Sequence, residues 1–224
     1  MVIKALILDF DGTIVREDIS DLLCDLVGKR AESEVLNRDF QQGKLTGLQG
    51  LVRRINFLKG LSVDQIREVV AKEDYLRDGA IELLKFLKTH GIICIIASGS
   101  IVPLLELYRE KLGANYVVGS KPLVENGFIM GISEADYSGP DFKVRDSAVI
   151  LDRLAIPHSS VVAIGDSLAD RGIFELSAKS IAINPKPGIE QYADYIIHDD
   201  LSKAIPILES LMEAAPSQMP PHTA

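Results

Sequence analysis

The sequence predicts an α/β fold: a doubly wound parallel sheet with a Rossmann-like core and a small helical cap domain inserted after the first strand. Three observations carry that reading. Short runs of Val, Ile, Leu and Ala recur along the chain without polar alternation, the mark of strands covered on both faces. Segments of helical periodicity separate most of them, and strand-helix alternation implies right-handed crossovers into a parallel sheet. From about Arg16 to Lys72, by contrast, only helical patterns occur.

Taken in order, the first run, Val2 to Leu8, ends in Asp9-Phe10-Asp11-Gly12-Thr13. Helical patterns follow at Ile19, Leu22, Leu23 and Leu26, at Leu48, Leu51, Val52 and Ile55, and at Val63, Ile66, Val69 and Val70. Gly28, Gly43, Gly47 and Gly60 supply the breaks between them. A helix follows Gly79, then a strand from Ile92 to Ala97, then a helix opened by Pro103. Tyr116 to Val118 is the next strand, and Asn126-Gly127 between two apolar pairs signals a hairpin. A helix through Val149, Ile150, Leu151 and Leu154 precedes the remaining strands, Val161 to Ile164, Ile181 to Ile183 and Tyr195 to Ile197. The expected organisation is a core of residues 1–15 and 77–213, a cap of residues 16–76, and a proline-rich disordered tail over 214–224.

Composition narrows the function classes. With 224 residues, 47% of them hydrophobic, the chain can bury one full domain plus a modest insertion. No apolar stretch approaches the roughly 20 residues of a membrane-spanning helix. The first residues reach two aspartates too early for a secretory signal. A net charge of −8 without a basic tract argues against nucleic acid or an anionic membrane as partner. Cys24 and Cys94 stand in apolar segments, outside any CxxC spacing, and read as buried free thiols in a reducing cytoplasm. A cytoplasmic location and a small-molecule partner are therefore expected; the oligomeric state is left open, a homodimer included.

The chemistry gathers at predicted strand ends. Ligands of an open parallel sheet bind beyond the carboxyl ends of its strands, where Asp9 and Asp11 stand. Val161 to Gly165 ends in the same way, in Asp166-Ser167-Leu168-Ala169-Asp170, with two acids four residues apart. Carboxylates gathered at one edge repel one another, and a divalent cation relieves the repulsion. An all-oxygen set without His or Cys selects magnesium. Ser98 and Gly99 close the strand before Pro103 and offer a hydroxyl and amides to an anion. Lys143 opens a helix, where its charge opposes the dipole, and that misplacement favours a functional role. Nucleophile, acid, metal, anion cradle and cation together are what phosphoryl transfer through an aspartyl-phosphate requires.

At this point the sequence resembles the haloacid dehalogenase superfamily of phosphohydrolases, whose four motifs match DFDGT, Ser98, Lys143 and GDSLAD in order. It is similar in particular to the phosphoserine phosphatase branch, through GKLTGLQGLVRRINFLKGLS, ASGS, Val124-Glu-Asn-Gly and INPKPGIEQYADYII, over residues 1 to 208. The resemblance implies a magnesium-dependent phosphomonoester hydrolase, most closely one of serine biosynthesis. It makes Asp9 nucleophile and metal ligand, Asp11 general acid and base with its backbone carbonyl on the metal, Asp166 a further ligand, and Asp170 its support. Gly12, Thr13, Ser98, Gly99 and Lys143, with Asp11, would hold the phosphoryl group. Asp18 stands where that branch carries glutamate, Gly47 where it carries a bulky apolar residue, Ser100 for a glycine and Ala169 for an asparagine. Val52 falls at the place of a substrate-binding arginine, so if the substrate is phosphoserine, Arg53 or Arg54 must turn inward to replace it. The alternatives are a phosphatase of the same superfamily for another small metabolite and, more distantly, a receiver-like phospho-aspartate module. A receiver needs neither Asp11 nor a cap and has about half this length.

Overall fold

The computed structural model describes residues 1–72, 74–139 and 141–213, so the tail predicted over 214–224 lies outside the described residues. Its strands are β1 (Ala5–Leu8), β2 (Ile93–Ile101), β3 (Tyr116–Ser120), β4 (Leu123–Glu125), β5 (Phe128–Gly131), β6 (Val161–Gly165), β7 (Lys179–Ile183) and β8 (Tyr195–Ile197). All four residues of β1 are buried. Leu6 and Leu8 enter one hydrophobic core while Ala5 and Ile7 enter another, because successive side chains leave a strand on opposite faces. Truncating Leu6 or Leu8 to alanine should therefore cost about 2–5 kcal/mol. β1 pairs in parallel with both β2 and β6, and the six-stranded order is β3-β2-β1-β6-β7-β8. The chain winds outward from β1 to β3 and then returns to β6. That reversal opens a crevice beyond the carboxyl ends of β1, β2 and β6.

Two predicted strand limits shift. β1 starts at Ala5, and Val2 is exposed. β2 continues through Ser98 and Gly99 to Ile101, with a register shift against β3 between Ala97 and Ile101. The strand therefore does not end at Ser98; it passes the crevice before the next helix begins.

Between β1 and β2 lie α1 (Ile19–Asp25), α2 (Arg30–Gln41), α3 (Gly47–Phe57), α4 (Val63–Lys72) and α5 (Ala80–Thr89). The periodicity reading misses α2. Its sequence, RAESEVLNRDFQ, is mostly polar, and of its two aliphatic side chains Val35 is exposed while only Leu36 is buried. α3 starts at a reciprocal cap: the Thr46 hydroxyl accepts the Gln49 N–H, and the Gln49 side chain accepts the Thr46 N–H. Beyond β2 come α6 (Val102–Leu112), α7 (Phe142–Arg153), α8 (Arg171–Leu176) and α9 (Ala204–Glu213). α5, α6 and α9 bury Leu83, Leu104 and Leu208 with Leu6 and Leu8; α7 and α8 bury Leu151 and Ile173 with Ala5 and Ile7. Helices thus cover both faces of the sheet.

The inserted helices are fastened at two places. The connecting segments run side by side, with Arg16 N–H donating to the Tyr75 carbonyl and Arg77 N–H to that of Ile14. The β4–β5 hairpin, turned through left-handed Asn126 (φ 50°) and Gly127 (φ 82°), docks on the loop after α3. There Gly60 N–H donates to the Ile129 carbonyl and Ile129 N–H to that of Leu61. The helices are thereby held over the crevice.

Candidate active site

β1 delivers Asp9 and Asp11 to the crevice. Asp9 is 4% exposed; its Oδ1 accepts from Lys143 Nζ at 2.7 Å and its Oδ2 from the Thr13 hydroxyl at 3.1 Å. Burial pushes its carboxyl well up, and the repulsion of Asp170 adds to that while Lys143 opposes it. Thr13 is fully buried and absent from the cavity wall, with its N–H donated to the Phe10 carbonyl. Both of its donors are thus spent inside the loop, and Thr13 is not among the residues brought to the cavity wall. Gly12 does line the cavity. At φ 80° its backbone runs against the Asp166 carboxylate so closely that a Cβ would collide with Asp166 Oδ2.

β6 delivers the second acidic pair. Asp170 Oδ2 accepts the N–H groups of Asp166 and Ser167, each at 3.1 Å, and Asp170 Oδ1 accepts Lys143 Nζ at 2.8 Å. Burial alone would pull the Lys143 ammonium down, but Asp170 and Asp9 outweigh it and hold it above its usual value. Asp166 Oδ2 faces Lys186 Nζ at 2.9 Å. Burial raises the Asp166 carboxyl, Lys186 lowers it and Asp170 raises it further. One oxygen from each of Asp9, Asp166 and Asp170 lies within 4.8 Å of the others, all buried. Such a set, crowded with negative charge and made of oxygen alone, fits a hard divalent cation.

β2 supplies hydroxyls to Asp11. Ser98 Oγ and Ser100 Oγ donate to Asp11 Oδ2 at 3.0 and 2.7 Å, and the Ile19 N–H donates to Asp11 Oδ1 at 2.9 Å. Burial and the nearby Asp18 raise the Asp11 carboxyl to about 6, against the pull of Ser100, Ile19 and Arg54. A group near that value serves both acid and base steps.

These residues line one end of a cavity of about 690 Å³, and the inserted helices line the other. Asp18 caps α1 and meets Arg54 Nη2 at 2.7 Å; that nitrogen also reaches Asp21 at 2.9 Å, while Arg54 Nε donates to Ser33. Asn37 on α2 donates to the other oxygen of Asp18 at 2.8 Å. Of the two candidate arginines, only Arg54 enters. Arg53 is exposed and lies outside the cavity, and Val52 is buried in the core at 6% exposure. One residue along a helix turns a side chain by ~100°, so three consecutive positions face core, solvent and cavity. Gly47, Gly99, Ser100 and Ala169 all line the wall.

Several wall residues escaped the sequence reading, Asn37 among them, and three stand out. Arg77, 8% exposed, donates through Nε to the Thr13 carbonyl at 2.9 Å and through Nη2 to that of Gly12 at 2.6 Å. Lys186 and Tyr137 are the others. Arg77 acquires its position from carbonyls 64 and 65 residues away, while Lys186 lies within the INPKPG segment that carries the resemblance.

A family model of haloacid dehalogenase-like hydrolases matches residues 6–175, from β1 through the Asp166–Asp170 turn. The chain belongs to this hydrolase family. Among curated members, the phosphoserine phosphatase of Methanocaldococcus jannaschii is 28% identical over 198 residues, 87% of this chain and 92% of that protein. That of Streptococcus thermophilus is 29% identical over 207 residues, 92% of this chain and 96% of its own. Among solved structures, a phospho-aspartyl intermediate analogue of phosphoserine phosphatase superposes with a TM-score of 0.81 at 26% identity, covering 92% of this chain and 99% of that one. A substrate-bound phosphoserine phosphatase complex gives 0.81 at 27% identity, covering 91% and 98%. The hydrolase family thus accounts for the sheet order and for acids at the ends of β1 and β6. Among the described residues no helix is long and apolar enough to cross a membrane.

Proposed function

We propose that this hydrolase is a magnesium-dependent phosphoserine phosphatase, converting O-phosphoserine and water to serine and phosphate through an aspartyl-phosphate on Asp9. The observation that carries the substrate assignment is Arg54. Its guanidinium lines the same cavity as Asp9, is only 11% exposed, and keeps Nη1 free of hydrogen bonds to the described residues. A substrate carboxylate would pair with it, and Asp18 would receive the ammonium. An amino-acid zwitterion entering a partly dry pocket needs both partners, since a buried unpaired charge costs several kcal/mol.

In the first step an Asp9 oxygen attacks phosphorus, the P–O ester bond breaks, and the departing serine oxygen takes the proton of Asp11. In the second, Asp11 as carboxylate takes a proton from water, whose oxygen attacks phosphorus and frees Asp9 and inorganic phosphate. Lys143, Ser98 and the Gly99 amide would hold the phosphoryl oxygens, with Asp170 fixing Lys143. Magnesium, held by Asp9, Asp166 and the Asp11 backbone carbonyl, would screen the phosphoryl charge. Residues 16–76 would act as the cap over a core of residues 1–15 and 77–213, in a cytoplasmic enzyme of serine biosynthesis.

A phosphomonoester panel with magnesium tests the substrate. The expected result is a higher kcat/KM for phosphoserine than for phosphothreonine, phosphoglycolate, sugar phosphates or an aryl phosphate. A sugar phosphate or phosphoglycolate turned over with the higher kcat/KM would overturn it.

A further inference from the structure

We infer that Tyr137 is a specificity-determining residue: its hydroxyl donates to the substrate carboxylate as a second donor beside Arg54, and the missing side chain at Gly47 is what admits it. The inference rests on the phosphoserine reading.

The first observation is the fit between the two residues. A Cβ built on Gly47 would fall 2.6 Å from the Tyr137 hydroxyl oxygen and 3.7 Å from Phe40 Cε2. Gly47 opens α3 in the insertion, whereas Tyr137 comes from the segment between β5 and α7. The Tyr137 hydroxyl, brought in from a separate segment, therefore occupies space that a larger residue at 47 would take.

The second observation is that this hydroxyl has no hydrogen-bond partner among the described residues. The other hydroxyls on the cavity wall are committed: Ser98 and Ser100 to Asp11, Ser20 to Ser100, and Ser167 to Asp170. Tyr137 Oη makes no hydrogen bond to the described residues, although its ring packs against the larger core. Tyr137 is half-buried, and a ring packed on the core with its polar tip at the cavity wall offers a donor there. Burial, with Asp141 nearby, raises the phenol above its usual value and keeps it protonated.

The third is the state of Arg54. Its Nε and Nη2 are taken by Ser33, Asp18 and Asp21, so the two-pronged fork that grips a carboxylate is no longer available. Nη1 serves one carboxylate oxygen. The other oxygen needs a donor from a different element, and a charged acceptor gains most from it.

The test compares kcat and KM for phosphoserine and for an aryl phosphate lacking a carboxylate, in the wild type, Tyr137→Phe, Gly47→Ala and the double variant. Tyr137→Phe keeps the ring and should lower the phosphoserine-to-aryl ratio of kcat/KM about tenfold or more, through KM. Gly47→Ala should lower the same ratio by displacing the hydroxyl, but much less in the Tyr137→Phe background, where no hydroxyl remains to displace. A merely structural tyrosine would lower the melting temperature and reduce both activities alike. If the wild type prefers phosphoserine yet the ratio is unchanged in Tyr137→Phe, the inference fails and the substrate reading stands. If the wild type does not turn over phosphoserine, both fail.

Discussion

Ser100 Oγ lies 2.7 Å from Asp11 Oδ2, and Ser98 reaches the same oxygen. Ser100 thereby brings a second hydroxyl donor to the Asp11 carboxylate. The added bond favours the ionised form and works against the burial that lifts Asp11 to about 6.

Ser100→Gly should therefore move Asp11 upward. The first step needs Asp11 protonated, so the alkaline limb of kcat/KM for an alkyl phosphate should shift to higher pH, by up to about one unit. A pH–rate profile of the two proteins checks it, and a limb that stays put or moves down contradicts the role of the hydroxyl.

Asp9→Asn should abolish turnover, lowering kcat by more than about 10³-fold, because no other group replaces a covalent nucleophile. Lys143 and Asp170 remain paired in this variant, so its circular dichroism spectrum should be that of the wild type. Fluoroberyllate with magnesium should label Asp9 in the wild-type protein only.

Asp11→Asn separates proton transfer from attack. Loss of a general acid typically costs ~10²–10⁴-fold. That loss should be largest for alkyl phosphates and smaller for an aryl phosphate, whose leaving group needs little proton assistance. Burst kinetics on the aryl ester should then reveal a slow second step.

Arg54→Ala and Arg53→Ala discriminate between neighbours in sequence that face opposite environments. Losing a charge-assisted contact should cost about 1.5–3 kcal/mol in Arg54→Ala, roughly ten- to a hundredfold in kcat/KM for phosphoserine. Arg54→Ala also strands Asp18 and Asp21 and should lower the melting temperature. Arg53→Ala, on the exposed side of α3, should alter neither measurement. Equal losses from both variants would refute the assignment.

Chelation should stop phosphate release, and magnesium should restore it. Turnover that persists undiminished in excess EDTA would remove the metal from the mechanism.

The parallel core was legible because strands buried on both faces must be continuously apolar, as β1 and β6 are and as β7 is from Ile181 to Ile183. The clustered acids were legible for a related reason: an open parallel sheet binds its ligands where such runs stop, as at Asp9 and Asp166. Lys143 could be singled out because a lysine early in a helix is misplaced unless something anionic faces it, and here Asp9 and Asp170 do. α2 was invisible since a helix that buries little has no stripe to detect.

The sequence by itself determined the doubly wound sheet, the helical insertion, the motif acids and the resemblance to a phosphohydrolase family. These depend on local composition and on spacings within one element and its turn. Only the tertiary structure decided that Arg54 rather than Arg53 enters the cavity, that Thr13 turns inward, that Arg77 grips the loop after Asp11, and that Tyr137 meets Gly47. Apart from the local turn of Thr13, those relationships join residues 36 to 90 positions apart, Asp18 with Arg54 and Gly47 with Tyr137 among them. They are set by helix phase and by how the insertion seats on the sheet. A phase error of one residue swings a side chain by ~100°, and the linear order of residues does not encode that angle.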